Sequence, residues 1–263
     1  MQRITSRENP MIKNVSALML SSRERREQRL FVAEGERLCG DAAKSGTEIV
    51  RAFFTDSACK KYPQVCEQIR NKAQNSLLIS EELAQKIADT KTPQGIFCIC
   101  RMLDKTADLV HINKNNRFVV LENLQDPSNM GAVFRSAEAF GLDGVILAGA
   151  CCDVYAPKAV RAGMGAVFRL PPVFVQSGAE AAKLLNQGGI RTAAAVVGRT
   201  ALPPAHARLG AGCAVFIGNE GNGLSPECIH ACQTLVTIPM EGRAESLNAA
   251  VAAGILIWEM VRE

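Results

Sequence analysis

Three short segments between Asp126 and Ala253 contain the residues whose types and spacing could do chemistry. In the first, DPSNMGAVFR, an apolar run gives way to a helical pattern. Asp126 or Ser128 can cap that helix, which puts Asn129 and Arg135 within its first two turns. An amide and a guanidinium there could hold a ribose or a phosphate. The alternative is a capped helix with a solvated arginine.

The second segment, FIGNEGNGLS, directly follows an apolar run and is rich in glycine. Gly218, Gly221 and Gly223 predict a tight loop whose backbone is closely approached. Glu220 lies inside this loop, at the carboxyl end of a predicted strand, where α/β folds bind ligands. A plain glycine turn is the alternative.

The third segment reads IPM, then GRAESLNAA, and continues into a helix of small residues. Ser246 and Asn248 supply polar groups near the start of that helix, which we expect to run from about Ser246 to Val261. The small residues 251–254 allow close packing against another backbone or another chain. The alternative is an amphipathic helix capped by a serine.

The elements that must position these segments alternate between strands and helices along the whole chain. Residues 1–102 predict a small α/β domain, and residues 103–115 suit a linker followed by a weak helix. From residue 116 onwards, repeated β–α alternation predicts a mostly parallel sheet with both faces covered. No GxGxxG follows the first strand of this second unit. A nicotinamide or flavin site is therefore not supported.

The composition is that of a globular protein, with 48% hydrophobic and 21% charged residues and a net charge of only +4. No run approaches the roughly 18 to 20 apolar residues of a membrane span, and no apolar stretch of a secretory signal begins the chain. We therefore expect a cytoplasmic location and no membrane partner. Residues 1–30 carry seven basic side chains against three acidic ones, which indicates either a phosphate-binding surface or a solvated helix end.

Ten cysteines raise the question of a metal site, and Cys228, His230 and Cys232 are the strongest candidates for its ligands. None of the cysteines forms a CxxC pair, and no second ligand cluster has zinc spacing. We favour the interpretation that these cysteines are small apolar packing residues of a protein in a reducing compartment. No metal is expected.

Taken in their order and spacing, the three segments resemble the SpoU (TrmH-like) family of the SPOUT methyltransferase superfamily, over residues 117–261. The stretches FVAEGERL (Phe31–Leu38) and TPQGIF (Thr92–Phe97) are similar to that family's substrate-binding domain. The resemblance implies an α/β fold whose C-terminal parallel sheet is threaded into a trefoil knot. It divides the chain into an RNA substrate-binding domain (1–102), a linker (103–115) and a knotted methyltransferase domain (116–263).

The resemblance also implies a reaction, transfer of a methyl group from S-adenosylmethionine to a ribose 2′-hydroxyl of RNA. The long N-terminal domain favours ribosomal over transfer RNA. The methyl donor would contact Val196, Val197, Gly198, Gly218, Ile238 and Leu247. The reaction itself would use Arg135, Asn129, Glu220, Ser246 and Asn248. A guanidinium is a poor base, so we expect Arg135 to hold the ribose or phosphate and to stabilise the developing oxyanion.

Further expectations concern partners. Arg25, Arg26 and Arg29 are predicted to contact RNA, and the family resemblance implies a homodimer through the knot region. Two other functions stay open at this point. One is a knotted methyltransferase that modifies a base nitrogen, and the other is a catalytically silent RNA-binding protein on the same scaffold.

Overall fold

The computed structural model describes residues 1–106, 112–198 and 200–262, and these form two compact units. Unit one comprises Met1–Leu103 together with Asp153–Arg169, and unit two comprises Asp104–Cys152 and Leu170–Glu263. The sequence predicted contiguous domains, and the segment Asp153–Arg169 departs from that division. Part of the predicted linker, residues 107–111, lies outside the described residues.

Unit one is built on a mixed five-stranded sheet in the order β1-β4-β3-β5-β2. Strand β5 runs antiparallel to both of its neighbours, whereas β4 runs parallel to β1 and β3. The strands are β1 (Gln2–Ile4), β2 (Leu30–Glu34), β3 (Ile49–Phe54), β4 (Ser76–Ile79) and β5 (Ile96–Arg101). The helices of Met1–Leu103 are α1 (Pro10–Leu20), α2 (Ser22–Gln28), α3 (Glu36–Lys44), α4 (Asp56–Lys61), α5 (Pro63–Lys72) and α6 (Glu81–Ile87).

Two helices, α1 and α2, form the basic N-terminal region. Ser21 interrupts the run with an extended backbone, and its hydroxyl accepts a hydrogen bond from the amide of Glu24 at 3.2 Å. Serine competes with the helix for its own backbone donors, which explains the break.

The segment Asp153–Arg169 belongs to unit one because its aromatic and charged side chains are buried there. It forms the short helices α8 (Pro157–Ala162) and α9 (Ala166–Arg169). The ring of Phe31 packs between those of Tyr155 and Phe168, at centroid distances of 4.7 and 5.8 Å. Arg25, only 4% exposed, donates through Nε to Asp153 at 2.7 Å. These contacts join residues far apart in sequence.

Unit two confirms the predicted parallel sheet. Its seven strands are all parallel and lie in the order β12-β10-β11-β7-β8-β9-β6. They are β6 (Lys105–Thr106), β7 (Arg117–Glu122), β8 (Gly144–Ala148), β9 (Val173–Val175), β10 (Arg191–Ala195), β11 (Cys213–Ile217) and β12 (Thr234–Val236). The helices are α7 (Pro127–Ala139), α10 (Gly178–Gln187), α11 (Pro226–Ala231) and α12 (Ala249–Val261).

Helices cover this sheet in two pairs, since α7 packs against α12 and α10 packs against α11. Alternate residues of the central strands face opposite sides and both faces are covered, so β8 and β11 are apolar along their whole length and β7 is apolar between Arg117 and Glu122. Parallel strands bring their carboxyl ends to one edge. The three segments singled out above follow β7, β11 and β12 and therefore meet at that edge. The trefoil knot stays a prediction.

Among the described residues, no helix combines the length and the apolar character needed to cross a membrane.

The buried Arg25–Asp153 pair generates a stability prediction. Replacing Arg25 with methionine should cost about 3–5 kcal/mol in the free energy of unfolding, because the carboxylate of Asp153 then stays largely buried without its cation. Urea unfolding followed by circular dichroism measures the loss. Arg26→Met, on the exposed side of the same helix, is the control and should change stability by only about 0.5 kcal/mol. Equal losses in the two variants would contradict the burial argument.

Candidate active site

A cavity of about 620 Å³ lies in unit two, at the carboxyl ends of β10, β11 and β12. The loops that follow these strands and the first turns of α12 form its walls. Five of the six residues predicted to hold a methyl donor line it, namely Val196, Val197, Gly218, Ile238 and Leu247. The sixth, Gly198, is exposed and is not part of the lining.

The glycine-rich wall of the cavity is a loop folded tightly on itself. The amides and carbonyls of Asn219 and Gly223 pair reciprocally at 3.0 and 2.9 Å. A Cβ on Gly218 would lie 2.1 Å from the carbonyl carbon of Gly223, so any larger residue would force this loop apart. The predicted close approach is therefore made, in this structure, by the loop's own backbone.

Glu220 lies on this loop and binds the start of α7. Its Oε2 accepts a hydrogen bond from the amide of Gln125 at 3.1 Å, and its Oε1 accepts from the amide of Asp126 and from Nδ2 of Asn129, both at 3.0 Å. Partial burial acts to raise the pKa of Glu220, but the hydrogen bonds from Asn129, Asp126 and Gln125 outweigh it, and the pKa falls below its ordinary value. The carboxylate is therefore ionised at neutral pH.

Asn248 extends the network to the third segment. Its Nδ2 donates to Oδ1 of Asn129 at 3.0 Å, while its Oδ1 accepts from the amides of Ala250 and Val251 and so caps α12. The helix thus begins at Ala249, three residues later than the sequence pattern suggested, and Asn248 rather than Ser246 is the cap. Ser246 is exposed and lines the cavity. We call the linked side chains Glu220, Asn129 and Asn248 the carboxylate–amide network.

Arg135 stands apart from this network. It is exposed on α7 and is not among the residues that line the cavity. Six residues separate it from Asn129, which places the two side chains about 120° apart around the helix axis. The structure thus joins Asn129, Glu220 and Asn248 directly, and it leaves Arg135 on the solvent side of α7.

Two supporting residues had no role in the sequence-based prediction. Glu122, 2% exposed, accepts hydrogen bonds from the amide of Gly178 at 3.0 Å and from the amide and hydroxyl of Ser225 at 2.7 and 2.9 Å. It therefore anchors the end of the glycine-rich loop. Asn219 anchors the beginning, because its Nδ2 donates to the carbonyl of Asn123 at 2.9 Å. An acidic residue closing an otherwise apolar strand was the available signal for Glu122.

The cysteine-containing helix α11 shows no arrangement suited to a metal. In the part of the chain that the structure describes, no three His, Cys, Asp or Glu side chains converge as ligands. Hydrogen bonding with Cys232 and burial raise the pKa of the Cys228 thiol well above its ordinary value, which opposes the thiolate that metal binding requires. Nδ1 of His230 is within 2.7 Å of the carbonyl of Pro226 in its own helix.

The predicted RNA-contacting arginines differ in their surroundings. For Arg25 the prediction is wrong, because its buried guanidinium bonds to Asp153 and, through NH1, to the carbonyls of Leu18 and Met19 at 2.6 and 3.2 Å. Arg26 and Arg29 are exposed, and their contacts with RNA stay predictions.

Two protein-family models match the chain, one in its N-terminal part and one in its C-terminal part. A family model described as the SpoU rRNA Methylase family matches residues 116–258. A second model, described as an MRM3-like substrate binding domain, matches residues 9–98.

Individual relatives are similar over nearly their whole length. The chain is 27% identical to a 23S rRNA (guanosine(2553)-2′-O)-methyltransferase of Bacillus subtilis, with 99% of each chain covered. It is 30% identical to a 23S rRNA (uridine(2479)-2′-O)-methyltransferase of Streptomyces viridochromogenes, covering 100% of this chain and 92% of the relative. Among solved structures, the AdoMet-bound rRNA methyltransferase from Sinorhizobium meliloti matches with a TM-score of 0.89 and 28% identity, covering 98% of this chain and 96% of that one.

The lowered pKa of Glu220 generates a prediction about stability and pH. A folded-state pKa below the unfolded value means that the ionised carboxylate stabilises the fold above the unfolded pKa and that this stability is lost as the pH falls through the folded pKa. Glu220→Gln should therefore lower the free energy of unfolding at neutral pH, and the difference from wild type should shrink in acid.

Urea unfolding at intervals from about pH 7 down to about pH 3 measures this difference. Glu241→Gln, an exposed position in the same unit, controls for the loss of one negative charge. A difference that stays constant over the whole range would show that ionisation of Glu220 does not stabilise the network.

Proposed function

The chain belongs to the SpoU rRNA methylase family, and on that premise we propose that it transfers the methyl group of S-adenosylmethionine to a ribose 2′-hydroxyl of ribosomal RNA. The observation that carries the proposal is that the second and third family segments line one cavity, while Asn129 of the first is hydrogen-bonded to both through Glu220 and Asn248. Ribosomal RNA is favoured over transfer RNA because two relatives that match over nearly their whole length are named as 23S rRNA 2′-O-methyltransferases. We keep the cytoplasm, where ribosomal RNA is found, as the proposed location.

The cavity fits the proposed methyl donor in size and chemistry. A volume of about 620 Å³ suits a nucleoside-sized ligand. The apolar walls formed by Val196, Ile238 and Leu247 can hold a flat base and an aliphatic chain, and the backbone of the glycine-rich loop offers hydrogen bonds without bulk. When bound there, the donor supplies an electrophilic methyl group.

The residues of the chain must then align a ribose hydroxyl and allow it to lose its proton. Glu220 is unsuited to accept that proton, because its oxygens already take three hydrogen bonds and its pKa is lowered. We assign it a positioning role, since it orients the amide of Asn129 at the start of α7. Asn129 and Asn248 present the remaining polar groups to the substrate, with Ser246 beside them.

Arg135 is the cation we assign to the RNA. Its exposed position on α7 leaves the guanidinium able to reach a phosphate or ribose on the outside of the helix. In that role it holds the nucleotide and stabilises negative charge that develops on the 2′-oxygen, whereas a guanidinium group is a poor base.

We also propose that the protein acts as a homodimer through α12. Val251, Ile255 and Trp258 are 51, 39 and 52% exposed and recur at helical spacing on one face. The exposed ring of Phe140 adjoins them, 5.5 Å from that of Trp258. A contiguous apolar patch of this kind is typical of an interface. Of the small residues considered from the sequence, Val251 lies in this patch, whereas Ala253 is buried within its own unit.

The reaction is tested with labelled S-adenosylmethionine and protein-free 23S ribosomal RNA. We expect label in alkali-resistant dinucleotides, because a 2′-O-methyl group prevents the attack of that oxygen on the adjacent phosphodiester. Arg135→Ala should lower the rate by about 10²–10³ while donor binding is unchanged. Lys183→Ala removes a cation from an exposed position on α10 and is the control.

Other outcomes identify the alternatives. Label in alkali-released mononucleotides would indicate methylation of a base, and RNA binding without any transfer would indicate a silent RNA-binding protein. Near-normal turnover in both Arg135→Ala and Arg135→Lys would exclude Arg135 from the reaction.

The dimer is tested by sedimentation equilibrium of the wild type and of Trp258→Glu. The wild type should sediment as a dimer and the variant as a monomer, because a buried unpaired carboxylate is strongly unfavourable in an interface. Leu20→Glu alters a more exposed apolar residue of unit one, 87% exposed, and should remain dimeric. A monomeric wild type at all concentrations would reject the dimer.

A further inference from the structure

Unit one contains a second cavity, of about 400 Å³, which the reaction described above does not use. Its walls come from the junction of β2 and α3, from the turn at residues 90–94 and from residues 161–164. All of these parts belong to unit one. Residues 161–164, however, lie within the stretch that matches the methylase family model, so the cavity draws on both matched regions of the chain.

The floor of this cavity holds a buried carboxylate. Glu34 is 7% exposed, and its two oxygens accept hydrogen bonds from the amide of Asp89, at 2.9 Å, and from the hydroxyl of Thr90. A carboxyl group offers more acceptor positions than these two bonds occupy, and Glu34 lines the cavity, so acceptor capacity remains for a ligand. An N–H donor on a ligand would meet that capacity.

The cavity is kept open by a glycine and a fixed amide. Gly35 has φ +96°, and a Cβ there would lie 2.8 Å from Oε1 of Gln94. That oxygen accepts from the amide of Glu36 at 2.8 Å, while Nε2 of Gln94 donates to the hydroxyl of Tyr62 at 3.3 Å. The turn bearing Gln94 is thus held in place against the start of α3.

Cationic and apolar groups complete the lining. Arg37 is exposed at the rim, and Arg161, held by an ion pair with Asp89, is partly exposed beside it. Leu38 and Met164 contribute apolar surface. The cavity therefore offers positive charge at its rim, a negative acceptor at its floor and an apolar wall.

We propose that this cavity binds one unpaired nucleotide of the RNA substrate. Its phosphate would lie at Arg37 and Arg161, its sugar against the apolar wall, and an amino- or imino-bearing base edge would face Glu34. Bases that leave the helical stack are recognised in this way, by hydrogen bonds to their edges and by cations at their phosphates. The inference rests on the proposed function and identifies where, outside the reacting site, the RNA is held.

The test measures binding of protein-free 23S ribosomal RNA to the full chain at potassium chloride concentrations from about 0.05 to about 0.3 M. Arg37→Gln should weaken binding about tenfold and make the slope of log affinity against log salt shallower by about one. Arg37→Lys should retain the slope. Arg70→Gln, an exposed position on α5 in the same unit, is the matched control and should behave as wild type.

A second variant tests the cavity by shape. Thr92→Tyr places a ring in the opening without changing charge, so it should weaken RNA binding and leave the salt slope unaltered. Calorimetric binding of S-adenosylmethionine, whose site is in unit two, should be the same in every variant. Unchanged RNA affinity in both Arg37→Gln and Thr92→Tyr would overturn the proposal.

Binding and methyl transfer are measured separately, so the two proposals fail in different ways. An RNA that binds through Arg37 but is never methylated would reject the proposed function and keep the nucleotide site. Methylation unaffected by Arg37→Gln and by Thr92→Tyr would reject the nucleotide site and keep the proposed function. Guanosine monophosphate is the probe for a free ligand. If it binds the cavity and 23S RNA does not displace it, the cavity serves a free nucleotide, and the proposal is overturned.

Discussion

The ionised carboxylate of Glu220 is the interaction on which the site in unit two depends. It accepts from two backbone amides ahead of α7 and from Asn129, whose own oxygen accepts from the cap of α12. These hydrogen bonds fix the positions of the N-termini of α7 and α12 and of the glycine-rich loop relative to one another. A glutamine would keep only one acceptor oxygen for these three donors, and a shorter side chain would not reach them, so either change would weaken the contact.

A second layer supports this network from within the sheet. Glu122 closes β7 and holds the far end of the glycine-rich loop through Ser225, while Asn219 ties the near end to the carbonyl of Asn123. The loop between them is too tight for a Cβ at Gly218. The glycine-rich wall of the cavity therefore keeps its shape, because hydrogen-bonded polar side chains hold both ends of the loop.

Unit one uses its charged residues in two different ways. Arg25 serves the fold, because a buried guanidinium with a carboxylate and two carbonyl acceptors binds α2 to Asp153. Arg37, by contrast, lies at the rim of a polar cavity, where a charge can meet a ligand. The two arginines show that the density of basic residues along the chain does not identify the cations that are available to RNA.

The sequence by itself determined the parallel sheet, the three segments that follow its strands and most of the residues at the cavity. Apolar periodicity and turn chemistry are local, and parallel strands necessarily bring their following loops to one edge. Only the tertiary structure decided the rest. It buried Arg25, placed Asp153–Arg169 in unit one and gave Glu122 its partners. Each of these depends on contacts between residues distant in the chain, and such pairings leave no local pattern.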